Sequence, residues 1–239
     1  MRRIVLSFFI VLSSITLFAQ NDSAARKPSV TLPRANDHFL MQLGYTTWQG
    51  KPDSIQTGGL PRTFNMYFLF DYPFKTNPHW SVAIGAGIAT DNMFFDKTTV
   101  GIKDPTTRVI FADVSDTSNF KKYKLATAYL EAPVELRFAL NPDNNARSFK
   151  FAIGAKVGTL LNAHTKGKTL RDKGGNTLIS YTLKENSKRF FNQNRLSLTA
   201  RVGVGHFSLF GSYAVTPLFK EGLGPVIRPM SVGLTLSGL

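Results

Sequence analysis

The chain of 239 residues has no cysteine. That absence excludes a disulfide framework, a cysteine-ligated zinc or iron–sulfur site, a thiol nucleophile and a lipoprotein anchor. Charged residues are also sparse, at 18% where a soluble domain carries roughly 25%. Acids are the scarcer sign: 15 Asp and Glu face 29 Lys and Arg, a net +14 that points to an anionic neighbour. Beyond the first twenty residues no apolar run is long enough to cross a bilayer as a helix. Phe (20) and Gly (19) are plentiful within a 43% hydrophobic content, which suffices for a core, rules out disorder and favours β structure.

Met1-Arg2-Arg3, the apolar stretch Ile4 to Phe18, and Ala19 before Gln20 have the layout of an export signal. Removing Arg2 and Arg3 from the 29 basic residues leaves 27 against 15 acids, so the exported chain keeps +12. The expected organisation is a signal peptide over 1–19 cleaved near Ala19, a periplasmic lead-in over 20–36 and a barrel domain over 37–239. An exported product without a helical span is either soluble or a barrel.

From Phe64 to Phe74 every even position is large and apolar (Phe64, Met66, Phe68, Phe70, Tyr72, Phe74), against Asn65, Tyr67, Leu69, Asp71 and Pro73. Ala126 to Leu140 alternates in the same way and puts Glu131, Glu135 and Arg137 on one face. Shorter copies over 39–47, 80–88, 149–157, 196–204, 207–215 and 230–236 bring the candidate strands to eight. A soluble sandwich or lipocalin-like barrel shares this alternation. The polar faces, however, carry Gly and Ala as often as charge (Gly85, Gly87, Ala152, Gly154), which suits the crowded interior of a narrow barrel. Connections also alternate strictly between short (75–79, 141–147, 205–206) and long (49–61, 91–124, 159–194, 217–228), the asymmetry of an outer-membrane barrel. The expected fold is all-β, an eight-stranded antiparallel transmembrane up-and-down β-barrel. Val109-Ile110-Phe111 and Leu178 to Leu183, in the long loops, raise the count to ten if either pair of hairpin strands inserts.

With the strands placed, Tyr129-Leu130-Glu131-Ala132-Pro133-Val134-Glu135-Leu136-Arg137-Phe138 resembles a strand of the PorT-like family of bacterial outer-membrane β-barrels, and more distantly of the small OmpA/OmpX type. Phe207-Ser208-Leu209-Phe210-Gly211, Leu218-Phe219-Lys220-Glu221-Gly222 and Ser231-Val232-Gly233-Leu234 extend the likeness, which covers about Asp37 to the C-terminus. The resemblance implies the barrel, insertion by the barrel-assembly machinery and a link to a secretion machine. The chain departs from such barrels by ending Leu236-Ser237-Gly238-Leu239 in place of a terminal aromatic residue.

Glu131, Glu135 and Arg137 share the lumen side with Lys150 and Lys156 of the next strand, and Arg195 and Arg201 join them in an expected lumen ion network. If the 141–148 turn sets Leu140 near Phe149, Lys156 falls opposite Pro133 and diagonal to both glutamates, within reach of long side chains. The two glutamates, four apart on a strand and so about 13 Å apart, are too distant for a glycosidase pair. Pro133, lacking a ladder donor, is expected to mark a bulge. His38, His79, His164 and His206 lack metal-motif spacing, and Gly-x-Ser-x-Gly is missing, so no metal, cofactor or enzymatic activity is expected. The basic excess falls in the long loops. Lys121, Lys122, Lys166, Lys168, Arg171 and Lys173 are the candidates for contact with outer-membrane lipid, above all lipopolysaccharide phosphate, and nucleic acid is not expected. The functional expectation is a non-enzymatic scaffold, adhesion or secretion-accessory barrel. The other reading is a small pore or a ligand-binding barrel, including a soluble periplasmic carrier.

Overall fold

The computed structural model describes residues 38–142, 144 and 147–238. The signal and lead-in expected over 1–36 lie outside them. Eleven strands follow in chain order: β1 (Phe39–Gln49), β2 (Arg62–Pro73), β3 (Trp80–Phe95), β4 (Thr98–Gly101), β5 (Ile110–Asp113), β6 (Asn119–Ala139), β7 (Phe149–Arg171), β8 (Thr177–Asn186), β9 (Asn194–Val204), β10 (Phe207–Ala214) and β11 (Arg228–Ser237). Eight of them pair in the circuit β6-β3-β2-β1-β11-β10-β9-β7, and the β6–β7 ladder closes it. Every ladder is antiparallel, and each expected strand lies in one member of the circuit. The two apolar loop segments do not enter it. Ile110 and Phe111 belong to the separate β4–β5 hairpin, while β8 pairs with the far half of β7 and leaves the closed wall at eight.

The faces are those of a membrane barrel. Phe68 is 49% exposed while its neighbours Tyr67 and Leu69 are 3% and 0% exposed, so the apolar stripe points out and the mixed stripe points in. From Leu130 on β6 to Leu140, the residue after its end, the outward apolar run is about 33 Å of chain, or about 25 Å of height at a tilt near 40°, the height of an outer-membrane apolar band.

Beyond that band the alternation continues with its phase reversed. Tyr123, Leu125 and Tyr129 of β6 and Met93 and Phe95 of β3 turn inward and are buried, while Lys122 and Lys124 face out. The strands therefore run on where long loops were expected: β3 reaches Phe95, β6 starts at Asn119 and β7 extends to Arg171. The expected loop boundaries followed the change of polarity, which marks a change of solvent around a continuous sheet.

Pro133 pairs with Lys156 in an unbroken stretch of the β6–β7 ladder, in the register expected from the turn. The expected bulge is not there. It lies where Ala128 pairs with Asn162 and Tyr129 with Leu160, so that Leu161 is the extra residue. What Pro133 does instead is interrupt the β3–β6 ladder at Gly85 and Ala86 without shifting its register, because its donor-less nitrogen faces β3.

At the short-turn end, histidines cap three strands. His38, His79 and His206 each donate from Nδ1 to a carbonyl of the neighbouring strand, at Leu69 (2.8 Å), Ala139 (3.0 Å) and Ser237 (2.9 Å). Each also accepts that same residue's backbone N–H. The ring thus supplies one further rung to the ladder.

Candidate functional site

Two features stand out from the wall: the filling of the lumen and a basic face above the band. Small residues make the first possible, since Gly154, Gly158 and Ala152 of β7 leave space for long side chains from β6 and β9 to meet across it.

In the upper layer Arg195 bonds Glu131 Oε1 through Nη2 and Nε at 2.6 and 2.9 Å and Asp91 Oδ2 through Nη1 at 2.6 Å. Its guanidinium lies 3.8 Å from the Tyr129 ring centroid. Tyr67 donates its hydroxyl to Glu131 Oε2 at 2.6 Å, and Lys156 donates to the Tyr67 oxygen at 3.3 Å and stands 3.7 Å from Glu131. In the lower layer Glu135 takes Arg201 at 2.6 Å and Arg137 at 3.0 Å, and Arg137 stands 3.8 Å from Asp71. Each layer sets two acids against two bases and is neutral. Neutrality matters at this depth, because a buried charge that loses its partner costs about 3–5 kcal/mol. On the opposite wall Asn65 donates to Gln42 at 3.1 Å and Gln42 to Thr235 at 3.2 Å, carrying the polar filling across β2, β1 and β11.

Six of the seven expected lumen residues thus meet in two layers. Lys150 lies lower, in the wall of a cavity of about 40 Å³ beside Asp71, Arg137 and Arg201. A second cavity of about 20 Å³ adjoins Asp91, Lys156 and Arg195. Such volumes hold at most a few waters. Sequence reasoning left out Asp91, Asp71 and Tyr67. The alternation had already placed Asp71 and Tyr67 on the polar face, but Asp91 fell in a presumed loop.

Above the ion layers the lumen turns apolar. Trp48, Phe95, Phe191, Phe219 and Ile227 are buried in one cluster with Ile55 of the first long loop and Ile102 and Val109 of the second. Ring centroids of Trp48–Phe95 and Phe191–Phe219 are 5.6 and 5.1 Å apart. The four long connections therefore fold over the mouth as an aromatic plug.

The basic face lies outside the wall on the extensions of β6, β7 and β8. Lys124 pairs with Lys166 and Lys122 with Lys168, and Lys184 of β8 pairs with Lys166 from the other side. With Phe94 the first four line a cleft of about 190 Å³. Burial, then Lys166, Arg62, Lys168 and Lys184, hold the Lys124 ammonium below its usual pKa. Of the residues expected to meet anionic lipid, Lys122, Lys166 and Lys168 converge here. Lys121, adjacent to Lys122 on the strand, takes the other face, Arg171 ends β7, and Lys173 in the hairpin turn pairs with Asp116 at 2.7 Å.

A family model described as "Outer membrane protein beta-barrel domain" matches residues 18–221. Among solved structures, the crystal structure of Ail, the attachment invasion locus protein of Yersinia pestis, is 15% identical with a TM-score of 0.35, covering 83% of this chain and 95% of that one. A structure described as "Asymmetric conductivity of engineered proteins" is 7% identical with a TM-score of 0.21, covering 84% and 98%. No curated protein matches. The closed eight-stranded wall, its outward apolar band and the family match over most of the chain agree, and this protein belongs to the outer membrane protein β-barrel domain family of the bacterial outer membrane.

Proposed function

We propose that the protein is a non-conducting, non-enzymatic barrel that carries an extracellular platform for protein contacts, a scaffold or secretion-accessory member of the PorT-like type. It reaches the membrane behind a leader cleaved near Ala19 and is inserted by the barrel-assembly machinery. The observation that carries this reading is the filled lumen: two neutral ion layers under an aromatic plug, with cavities of about 40 and 20 Å³ in place of a path. The platform is the β7–β8 hairpin, where β8 pairs with β7 alone among the described strands and exposes Leu178, Ile179 and Leu183. An open apolar strand edge suits a partner segment that adds a strand. Conductance of the refolded protein in planar bilayers tests the reading. The expected record is flat at physiological salt, and stepwise openings would favour the small pore instead.

A further inference from the structure

A sheet does not normally set like charges opposite one another, since such cross-strand pairs are destabilising. Here Lys124, Lys166 and Lys184 occupy one rung across three strands, a row about 10 Å wide at the usual strand spacing, and Lys122 and Lys168 occupy a rung about 7 Å further on. Among the described residues no carboxylate stands within ion-pairing distance of any of the five. Glu185, the nearest acid along β8, pairs with the buried Thr165 on the other face. The arrangement is also built: Lys124 donates to Asn92 at 2.6 Å, and both Lys124 and Arg62 lie over the Phe94 ring, at 5.8 and 5.5 Å. The cleft between the rungs points away from the barrel axis, about 15–20 Å above Leu130 at the same rise and tilt. That height is beyond the headgroups of a phospholipid layer, and a neighbouring outer-leaflet lipid reaches it only with a large phosphorylated sugar headgroup.

We infer that the outward face formed by Lys122, Lys124, Lys166, Lys168 and Lys184 binds the phosphates of an outer-leaflet glycolipid such as lipopolysaccharide. The ammonium groups take the place that divalent cations hold between neighbouring phosphates elsewhere in such a layer. Contact with several lysines makes the interaction electrostatic and salt-sensitive. The inference rests on the placement of the band and is independent of whether the lumen conducts.

The test uses the full chain in detergent, with folding checked by heat-modifiable gel mobility. It is titrated with purified lipopolysaccharide, with the same material dephosphorylated, and with inorganic pyrophosphate. The wild type is expected to bind the phosphorylated lipid at least tenfold more tightly than the dephosphorylated one. The variant K122Q/K124Q/K166Q/K168Q/K184Q is expected to lose at least tenfold in affinity, while K97Q/K103Q/K121Q/K173Q/K188Q, which sheds the same charge, keeps wild-type affinity. Equal loss in the two variants, indifference to dephosphorylation, or pyrophosphate binding as tight as the lipid would overturn the inference in favour of net charge, an apolar contact or a free-anion site. If the first variant does not fold, the wild type answers by lysine acetylation in outer-membrane vesicles. Several-fold slower acetylation of the five than of Lys121 and Lys173 is expected, and equal rates would refute the site.

Discussion

Glu131 and Arg195 stand on one rung of the barrel, two strands apart, and meet over Gly158, which pairs with both. A Cβ at Gly158 would come within 2.8 Å of the Glu131 Cγ. The glycine on the intervening strand is therefore what lets a charge on β6 reach its partner on β9.

Removing the carboxylate should show the cost of this arrangement. Glu131→Gln leaves Arg195 with Asp91 alone and Lys156 facing a neutral amide, so a loss of about 3–5 kcal/mol is expected in urea-induced unfolding from lipid vesicles. Gly158→Val should cost about 1–3 kcal/mol by crowding the same contact. A variant at Glu131 as stable as the wild type would show that the layer does not hold the wall together.

Pro133→Ala tests the interruption between β3 and β6. The new N–H faces Gly85, in hydrocarbon surroundings where an unmet backbone group is expensive. An increase in unfolding free energy of about 1 kcal/mol is expected. A loss of that size would mean that the proline serves the fold in some other way.

His79→Ala should remove one cap, the Nδ1 bond to the Ala139 carbonyl, at a cost of about 1 kcal/mol. His79→Asn keeps a short donor there and should recover part of it. Faster amide exchange at the short-turn end of β6, relative to its centre, is the readout.

Phe219→Ala should open the plug while leaving the barrel closed. Phe219 is buried against Phe191 and Phe111, and truncating such a ring costs about 3–5 kcal/mol locally. The expected outcome is rapid proteolysis of the long connections from outside the cell with heat-modifiability retained. Unchanged protease resistance would show that the loops do not depend on this cluster.

The wall was legible in the sequence because a membrane barrel writes its two faces as a strict period of two, clear from Phe64 to Phe74. The lumen charges were legible for the same reason: Glu131 and Glu135 alternate with the outward apolar stripe of β6, and Lys156 interrupts a stripe of small residues (Ala152, Gly154, Gly158) on β7. The upper third was harder to read. On β6 the apolar stripe changes sides between Leu130, which faces out, and Tyr129, which faces in, so the period persists but its phase flips, and a reading tied to one face ends the strand too soon. Asp91 was missed through that early ending. The basic face was seen as loop charge because pairing Lys124 with Lys166 and Lys184 needs the register of three strands, one of them bulged at Leu161.

The central claim is that β6 passes through two solvents, lipid below Leu130 and the headgroup or aqueous layer at Lys122. The absence of native cysteine allows single-cysteine labelling without background. A fluorophore placed by Val134→Cys, and another by Lys122→Cys, reports on the same outward face in lipid vesicles carrying chain-bound quenchers. Strong quenching at 134 with little at 122, where aqueous iodide quenches instead, is the expected result. Iodide quenching at 134, with lipid quenchers without effect at both positions, would contradict the membrane-spanning barrel itself.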